Sequence, residues 1–153
     1  MTTLHPTQTN EQLDVSNGRM LWRGLLRHCP ACGGRRTHSG YFTMLKECPQ
    51  CSLRFERIFG HSLGYIGLNT VVTFAATFLV LLVGSIATQP DIPVVPLLIA
   101  TVVSAGVLPV VFLPSAHTTW TAIDLIMRPL TPGEIDPRFI KVDPEAGPWT
   151  RDT

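Results

Sequence analysis

Four cysteines carry the clearest chemistry in this chain, and they fall into two matching turns. Cys29-Pro30-Ala31-Cys32 is followed, after fifteen intervening residues, by Cys48-Pro49-Gln50-Cys51, and these are all the cysteines present. Each C-P-x-C turn brings two thiolates onto one cation, and two such turns complete a tetrahedral set. The proline fixes φ within the turn, and Gly33 after the first turn permits the positive φ that such turns often adopt. Tyr41-Phe42-Thr43-Met44-Leu45 reads as a short strand between them. Residues 29–57 are therefore expected to form a zinc ribbon, with Cys29, Cys32, Cys48 and Cys51 as ligands. Four ligands closing a tetrahedron leave no place for a reacting water, so the site reads as structural.

Iron is chemically open as the metal, since the same turns hold the single iron of rubredoxins. Two disulfides are disfavoured by the cytoplasmic placement argued below. His28 adjoins Cys29 and reads as a neighbour of the site rather than a ligand. His38, His61 and His117 do not form a ligand set by spacing. Arg35, Arg36, Tyr41 and Phe42 interleave basic and aromatic residues as nucleic-acid surfaces do. Beside a membrane, such a patch more simply meets lipid headgroups or a protein, and no nucleic-acid partner is expected. There is no H-E-x-x-H, G-x-S-x-G, P-loop or paired intramembrane carboxylate. No catalytic residue and no small-molecule substrate is identified, and the chain is expected not to be an enzyme. His117 and Asp124, seven residues apart, could carry protons, but interface anchoring explains them better.

The elements that must position the cysteines follow from the distribution of charge. Only 15% of the 153 residues are charged, against about a quarter in soluble domains. From Leu63 to Leu113 there is one charged residue, Asp91. A chain this short cannot build a core that hides so long an apolar stretch. Residues 63–87 and 94–113 are read as two membrane-spanning helices, joined by the polar, proline-containing turn Thr88–Pro93, which makes them antiparallel neighbours. Gly64, Gly67 and Asn69 near the start of the first span, and Gly106 in the second, are candidate helix-packing positions. Small residues let helices approach closely, and a buried Asn seeks a partner. Pro109 should kink the second span.

Residues 1–18 are polar and aperiodic and read as a disordered tail without a secretory signal. Residues 19–28 place Arg19, Arg23 and Arg27 opposite Leu21, Trp22, Leu25 and Leu26. That pattern suits a basic amphipathic helix on an anionic leaflet, or a connector packing on the ribbon. Residues 115–130 resume helical periodicity and read as an interfacial helix, with Trp120 at headgroup level. Residues 131–153 are proline-rich and read as a flexible tail. Of the twelve Lys and Arg residues, eight precede the first span, four follow the second and none lies in the turn. The positive-inside rule then places both termini in the cytoplasm, with the chain multi-pass in the cell membrane.

The lead-in RGLLRHCPACGGRRTHSGYF, the second turn KECPQCSLRFER and the G-H-x-x-G-Y that opens the first span resemble the bacterial family catalogued as domain of unknown function 983. The resemblance covers residues 19–130. It implies a two-span membrane protein with a cytoplasmic ribbon, and a part in cytochrome c oxidase or other respiratory complex biogenesis. Many members carry an acidic residue before the first span, where Gly60, His61 and Ser62 stand here. The expected whole is a membrane α-helical protein, a two-helix hairpin preceded by a small four-cysteine module. Its expected role is an adaptor or assembly factor that contacts the lipid bilayer and a larger membrane protein. A rubredoxin-like iron redox or metal-transfer protein is the other reading.

Overall fold

The long apolar stretch folds as two helices of very different reach. The computed structural model describes residues 8–57, 60–131 and 133–141. Residues 1–7 and 142–153, the outer parts of both expected tails, lie outside the described residues. Helix α3 spans His61–Ala87 and α4 spans Val94–Met127, of 27 and 34 residues. At about 1.5 Å per residue both exceed a hydrocarbon core of about 30 Å. Gly64 faces Trp120 and Gly84 faces Leu97, so the pair runs antiparallel as a hairpin. Both helices are long and apolar enough to cross a membrane, and almost nothing in their most apolar windows is buried within the chain. Phe74, Phe78, Leu98 and Val102 are among the large side chains left facing outward, which points to lipid contact.

The expected break after residue 113 does not occur. The second span and the separate helix 115–130 are one element, continuous through Pro114. Proline at 114 has no N–H to donate to the carbonyl four residues earlier, that of Val110. The Tyr41 hydroxyl donates to that oxygen at 3.2 Å and also reaches the Val111 carbonyl at 3.3 Å, where Arg27 donates at 3.4 Å. Side chains from outside the helix thus supply the donors that the proline lacks. Every buried residue of α4 lies from Pro114 to Leu125. The helix is therefore a lipid-facing stem up to Leu113 and a core element beyond it.

Around that buried end sits a small head. Helix α1, Thr9–Leu13, and helix α2, Asn17–Leu25, precede the cysteine module. Leu13, Met20, Leu53, Phe55, Ala122, Leu125, Leu130 and Ile135 form one core together with the ligand cysteines. Gly24 lets α2 lie directly on α4, since a Cβ there would sit 2.8 Å from the Thr118 carbonyl oxygen. The Thr118 hydroxyl donates to the Gly24 carbonyl at the same contact.

Both expected tails are corrected where they are described. Gln12 donates to the Leu130 carbonyl and accepts from the Leu130 amide, while Thr9 donates to the Arg128 carbonyl. On the other side, Asp136 N–H donates to the Cys51 carbonyl and Lys141 N–H to the Gln12 carbonyl. Leu13 and Ile135 supply the apolar anchors. Residues 9–13 and 133–141 are thus docked straps on the head. Polar composition concealed this, because each strap needs only one or two apolar side chains and a few backbone bonds.

The hairpin contact at Gly64 is tight enough to test. A Cβ on Gly64 would overlap the Trp120 indole, whereas one on Gly67 would meet no atom of the chain. Gly64→Ala should lower the thermal midpoint in detergent, with an overpacking cost of about 1–3 kcal/mol. Gly67→Ala should melt no lower than the parent protein. Equal midpoints for the two variants would show that Gly64 is not packed on Trp120.

Candidate metal centre

Each C-P-x-C turn closes through its own backbone. Gly33 N–H donates to the Cys29 carbonyl and Ser52 N–H to the Cys48 carbonyl, both at 2.8 Å. The residue after each turn is left-handed, Gly33 at φ 80° and Ser52 at φ 57°. Glycine was legible for the first turn; the second adopts the same conformation with a serine. Each turn is closed further by a second bond of its own, Cys29 N–H to the Gly34 carbonyl in the first and Cys48 N–H to the Leu53 carbonyl in the second. The expected strand 41–45 is not formed. Among the described residues there are only the isolated bridges His38 to Met44 and Glu47 to Arg54, and Tyr41 and Phe42 are exposed. Tyr41 is turned toward the α4 carbonyls instead.

The four sulfurs converge. All of them lie within 4.8 Å of one another, and the Cys29–Cys51 and Cys32–Cys48 pairs stand 3.7 Å apart. Four sulfurs each about 2.3 Å from a tetrahedral centre are separated by about 3.8 Å, so this set fits one metal ion. The separation is far beyond the roughly 2.05 Å of a disulfide. Hydrogen bonding to Cys29 holds Cys48 well below the ordinary thiol range and Cys32 at about 7. The sharing with its neighbours, reinforced by burial, pushes Cys29 up. Thiolate is the form that binds a soft or borderline cation. Cys29, Cys48 and Cys51 are buried; Cys32 is half-buried at a groove lined by Gly34, Arg35, Arg36 and Gln50.

Two arginines fix the module to the rest of the molecule. Arg23 donates to the Pro30 and Ala31 carbonyls at 3.2 and 2.9 Å, holding the first turn against α2. Arg57, whose side chain is 4% exposed, pairs with Asp124 of α4 at 3.1 Å and with Glu134 at 2.8 Å. It also donates to the Arg128 and Pro129 carbonyls. Burial pushes the Glu134 carboxyl up, but hydrogen bonds from Arg57 and Thr131 outweigh it and hold the group below its ordinary value.

The remaining sequence candidates divide. Arg19 and Trp22 are exposed and free to meet a surface. Arg23 is committed to the first turn, and Arg27 to Val111 and the face of Tyr41. Trp120 is half-buried and packs its indole against Gly64 of α3. Of the three glycines in the helix-packing set, Gly64 alone is packed within the chain. Gly67 and Gly106 have nothing within 4 Å of a modest added carbon, and the Asn69 Oδ1 is buried without a partner. Sequence spacing gave no hint that His38, His61 and His117 converge. The structure places His38 and His117 with ring centres 6.0 Å apart, and Tyr65 between His117 and His61 at 3.8 and 6.4 Å.

Removing one ligand should empty the centre without displacing the stem. Cys29→Ser is expected to lose the bound metal, because the module's folding energy is largely metal binding. Limited proteolysis should then cut between residues 29 and 57 while α3 and α4 remain in the membrane fraction. Full metal content in the variant would exclude Cys29 as a ligand. Arg57→Gln should destabilise the head by about 3–5 kcal/mol, leaving Asp124 buried without its partner, read as a lower thermal midpoint. Since the Glu134 carboxyl is depressed in the fold, its contribution is present above the ordinary carboxylate range. It should fade as pH falls through the depressed value. The chain matches no family model, no curated protein and no solved structure, and its function rests on the chemistry of this site.

Proposed function

We propose that the chain is a membrane-anchored adaptor or assembly factor, in which a structural zinc ion organises a small cytoplasmic head on a two-helix stem. The observation that carries this reading is the joint between the two parts. Arg57, six residues beyond the last ligand, is buried against Asp124 of α4 and Glu134 of the C-terminal strap. A four-sulfur centre of matched spacing has no position left for substrate once a tetrahedral ion is bound. A rigid head fixed to a lipid-facing stem suits presentation of a surface rather than turnover. Gly67 and Gly106, with open space in front of them, offer close approach to another helix. The partner is then a larger membrane protein, and a respiratory oxidase under assembly is the case that resemblance to the domain of unknown function 983 family implies.

Charge supports the orientation. Arg19, Arg23, Arg27, Arg35, Arg36, Lys46 and Arg54 flank the head side of the hairpin, while the turn at Thr88–Pro93 has no Lys or Arg. Both termini belong in the cytoplasm by that asymmetry, with the turn outside the inner membrane. A second reading has one observation in its favour: Cys32 is only half-buried, at the Arg35–Arg36 groove. An iron ion held there could exchange electrons, and a metal could be passed on, through that edge.

Metal identity separates the two readings. Protein purified under reducing conditions should contain one zinc per four-cysteine centre and no visible colour. Stoichiometric iron with a reddish absorption would replace the adaptor reading by the redox one. Reporter fusions at either end should report cytoplasm, and a tag beside Asp91 should be labelled from outside intact cells; a C-terminal reporter found outside would overturn the orientation.

A further inference from the structure

The tip of the cysteine module reaches down along the stem. The Tyr41 hydroxyl donates to the Val110 and Val111 carbonyls of α4 at 3.2 and 3.3 Å, and Arg27 donates to that of Val111 at 3.4 Å. The depth of this contact follows from helix geometry. Counted from Val94, where α4 begins, about 20 residues of helix cross a hydrocarbon core of about 30 Å. The count ends at Leu113, and burial of α4 within the chain begins, independently, at Pro114. Val110 and Val111 therefore lie on the lipid side of that boundary, by about 4–6 Å along the helix axis.

What the tip carries suits that depth. Phe42 is 58% exposed, and its ring meets that of Tyr41 edge to face, with centres 4.9 Å apart. Arg27 holds its guanidinium 5.3 Å from the centre of the Tyr41 ring. The end of α2 descends beside them, since Gly24 packs against Thr118 while Arg27 reaches Val111. Leu25 and Leu26 fall between those two levels and are exposed, as is Trp22 one turn earlier. The backbone at the tip is closed on itself, with Ser39 N–H donating to the Thr43 carbonyl at 3.0 Å, which lowers the cost of leaving water. In water a contiguous patch of this kind would invite aggregation. Beside lipid it continues the apolar surface of the stem.

We propose that the 39–43 tip and the end of α2 form an interfacial anchor, which enters the acyl–headgroup boundary of the leaflet on the head side of the stem. Segments that lie in an interface bury their apolar side chains by about 5–10 Å, and the tip reaches the shallow end of that range. Tyrosine and arginine at such a depth keep their polar ends on headgroups or other partners. Tyr41 and Arg27 find theirs on the α4 carbonyls, so the tip presents its aromatic carbon outward with those polar groups already satisfied. The occupant is lipid because α4 at Val110 is itself lipid-facing, and the tip has the same depth. The four-cysteine centre then rides at the membrane surface instead of standing clear of it. The anchor rests on α3 and α4 spanning the bilayer, and it holds for zinc or iron alike.

The test uses the full chain, purified with its metal and reconstituted in vesicles of phosphatidylcholine and phosphatidylglycerol. Phe42→p-benzoylphenylalanine places a photoreactive ketone at the tip, and mass spectrometry identifies what it captures on illumination. In the hairpin Gly64 faces Trp120 and Gly84 faces Leu97, so Phe74 of α3 stands close to the level of Val110. The same substitution at Phe74 is the control within the span. Met127, exposed at the far end of α4 and about 20 Å beyond Pro114, is the control on the head. Position 42 should give acyl-chain adducts in a yield like that of position 74, and position 127 should give none. Leu26→p-benzoylphenylalanine should agree with position 42, and it decides the matter if the Phe42 variant loses its metal and so its folded head. Lipid adducts at 74 but at neither 42 nor 26 would overturn the anchor while leaving the spanning helices and the adaptor reading in place. Adducts at 42 to a second copy of the chain would overturn it too, by making the patch a protein interface. Loss of adducts at 74 as well would remove the spanning reading, and the anchor with it.

Discussion

The buried guanidinium of Arg57 is the constraint around which the head is organised. A charge removed from water costs several kcal/mol unless it is matched and its hydrogen bonds are filled. Arg57 finds two carboxylates and two backbone carbonyls, from α4, from the residues just after it, and from the C-terminal strap. None of these groups can move far without leaving a buried charge uncompensated. The pairing therefore fixes where the cysteine module sits, where α4 ends and where the strap returns. Its main effect is to select one arrangement: a buried ion pair is weak evidence of net stability, but removing half of it is strongly unfavourable.

A module of this size cannot hold itself together by apolar burial alone. Its four sulfurs are placed to share one ion, and its few large apolar side chains pack on the end of α4. Phe55 and Leu53 are fully buried in a cluster that includes Ala122 and Leu125 of that helix. The dependence runs in both directions. Pro114 leaves the α4 ladder short of a donor just where the helix leaves its lipid-facing part, and Tyr41 and Arg27 provide donors to the carbonyls there. In water such carbonyls would be solvated, and in lipid they would be costly. The head supplies the hydrogen bonds at the boundary between the two environments.

What was legible in the sequence was whatever repeats or accumulates locally. The doubled C-P-x-C turns announce the metal set, and uninterrupted apolar runs announce the two long helices and their hairpin. What escaped was decided by single contacts between distant segments. Gln12 looks like any polar tail residue until its amide meets Leu130 on both donor and acceptor atoms. Pro114 marks a helix end by propensity, but the outside donors change the outcome. Arg57 counts in the sequence as a positive charge beside lipid, whereas in the fold two carboxylates neutralise it. Nothing local to Trp120 announces that its ring fills the space left open by Gly64, fifty-six residues earlier. His38, His61 and His117 have no regular spacing because they belong to three elements, and only the packing of head on stem brings them together.

The metal centre and the stem are also linked by a short chain of contacts that involves no ion pair. Arg23 grips the Pro30 and Ala31 carbonyls inside the first cysteine turn. One residue later, Gly24 places the α2 backbone against Thr118 and Thr119 of α4. The first turn closes through its own backbone, and Arg23 fixes it to α2, which lies on α4. Arg57 makes the corresponding connection after the second turn. The two halves of the metal site are thus braced on the same helix from opposite ends of the module, by backbone contact on one side and buried charge on the other. A centre braced in this way keeps its four sulfurs in register with the stem. That is the physical requirement of the adaptor role proposed above.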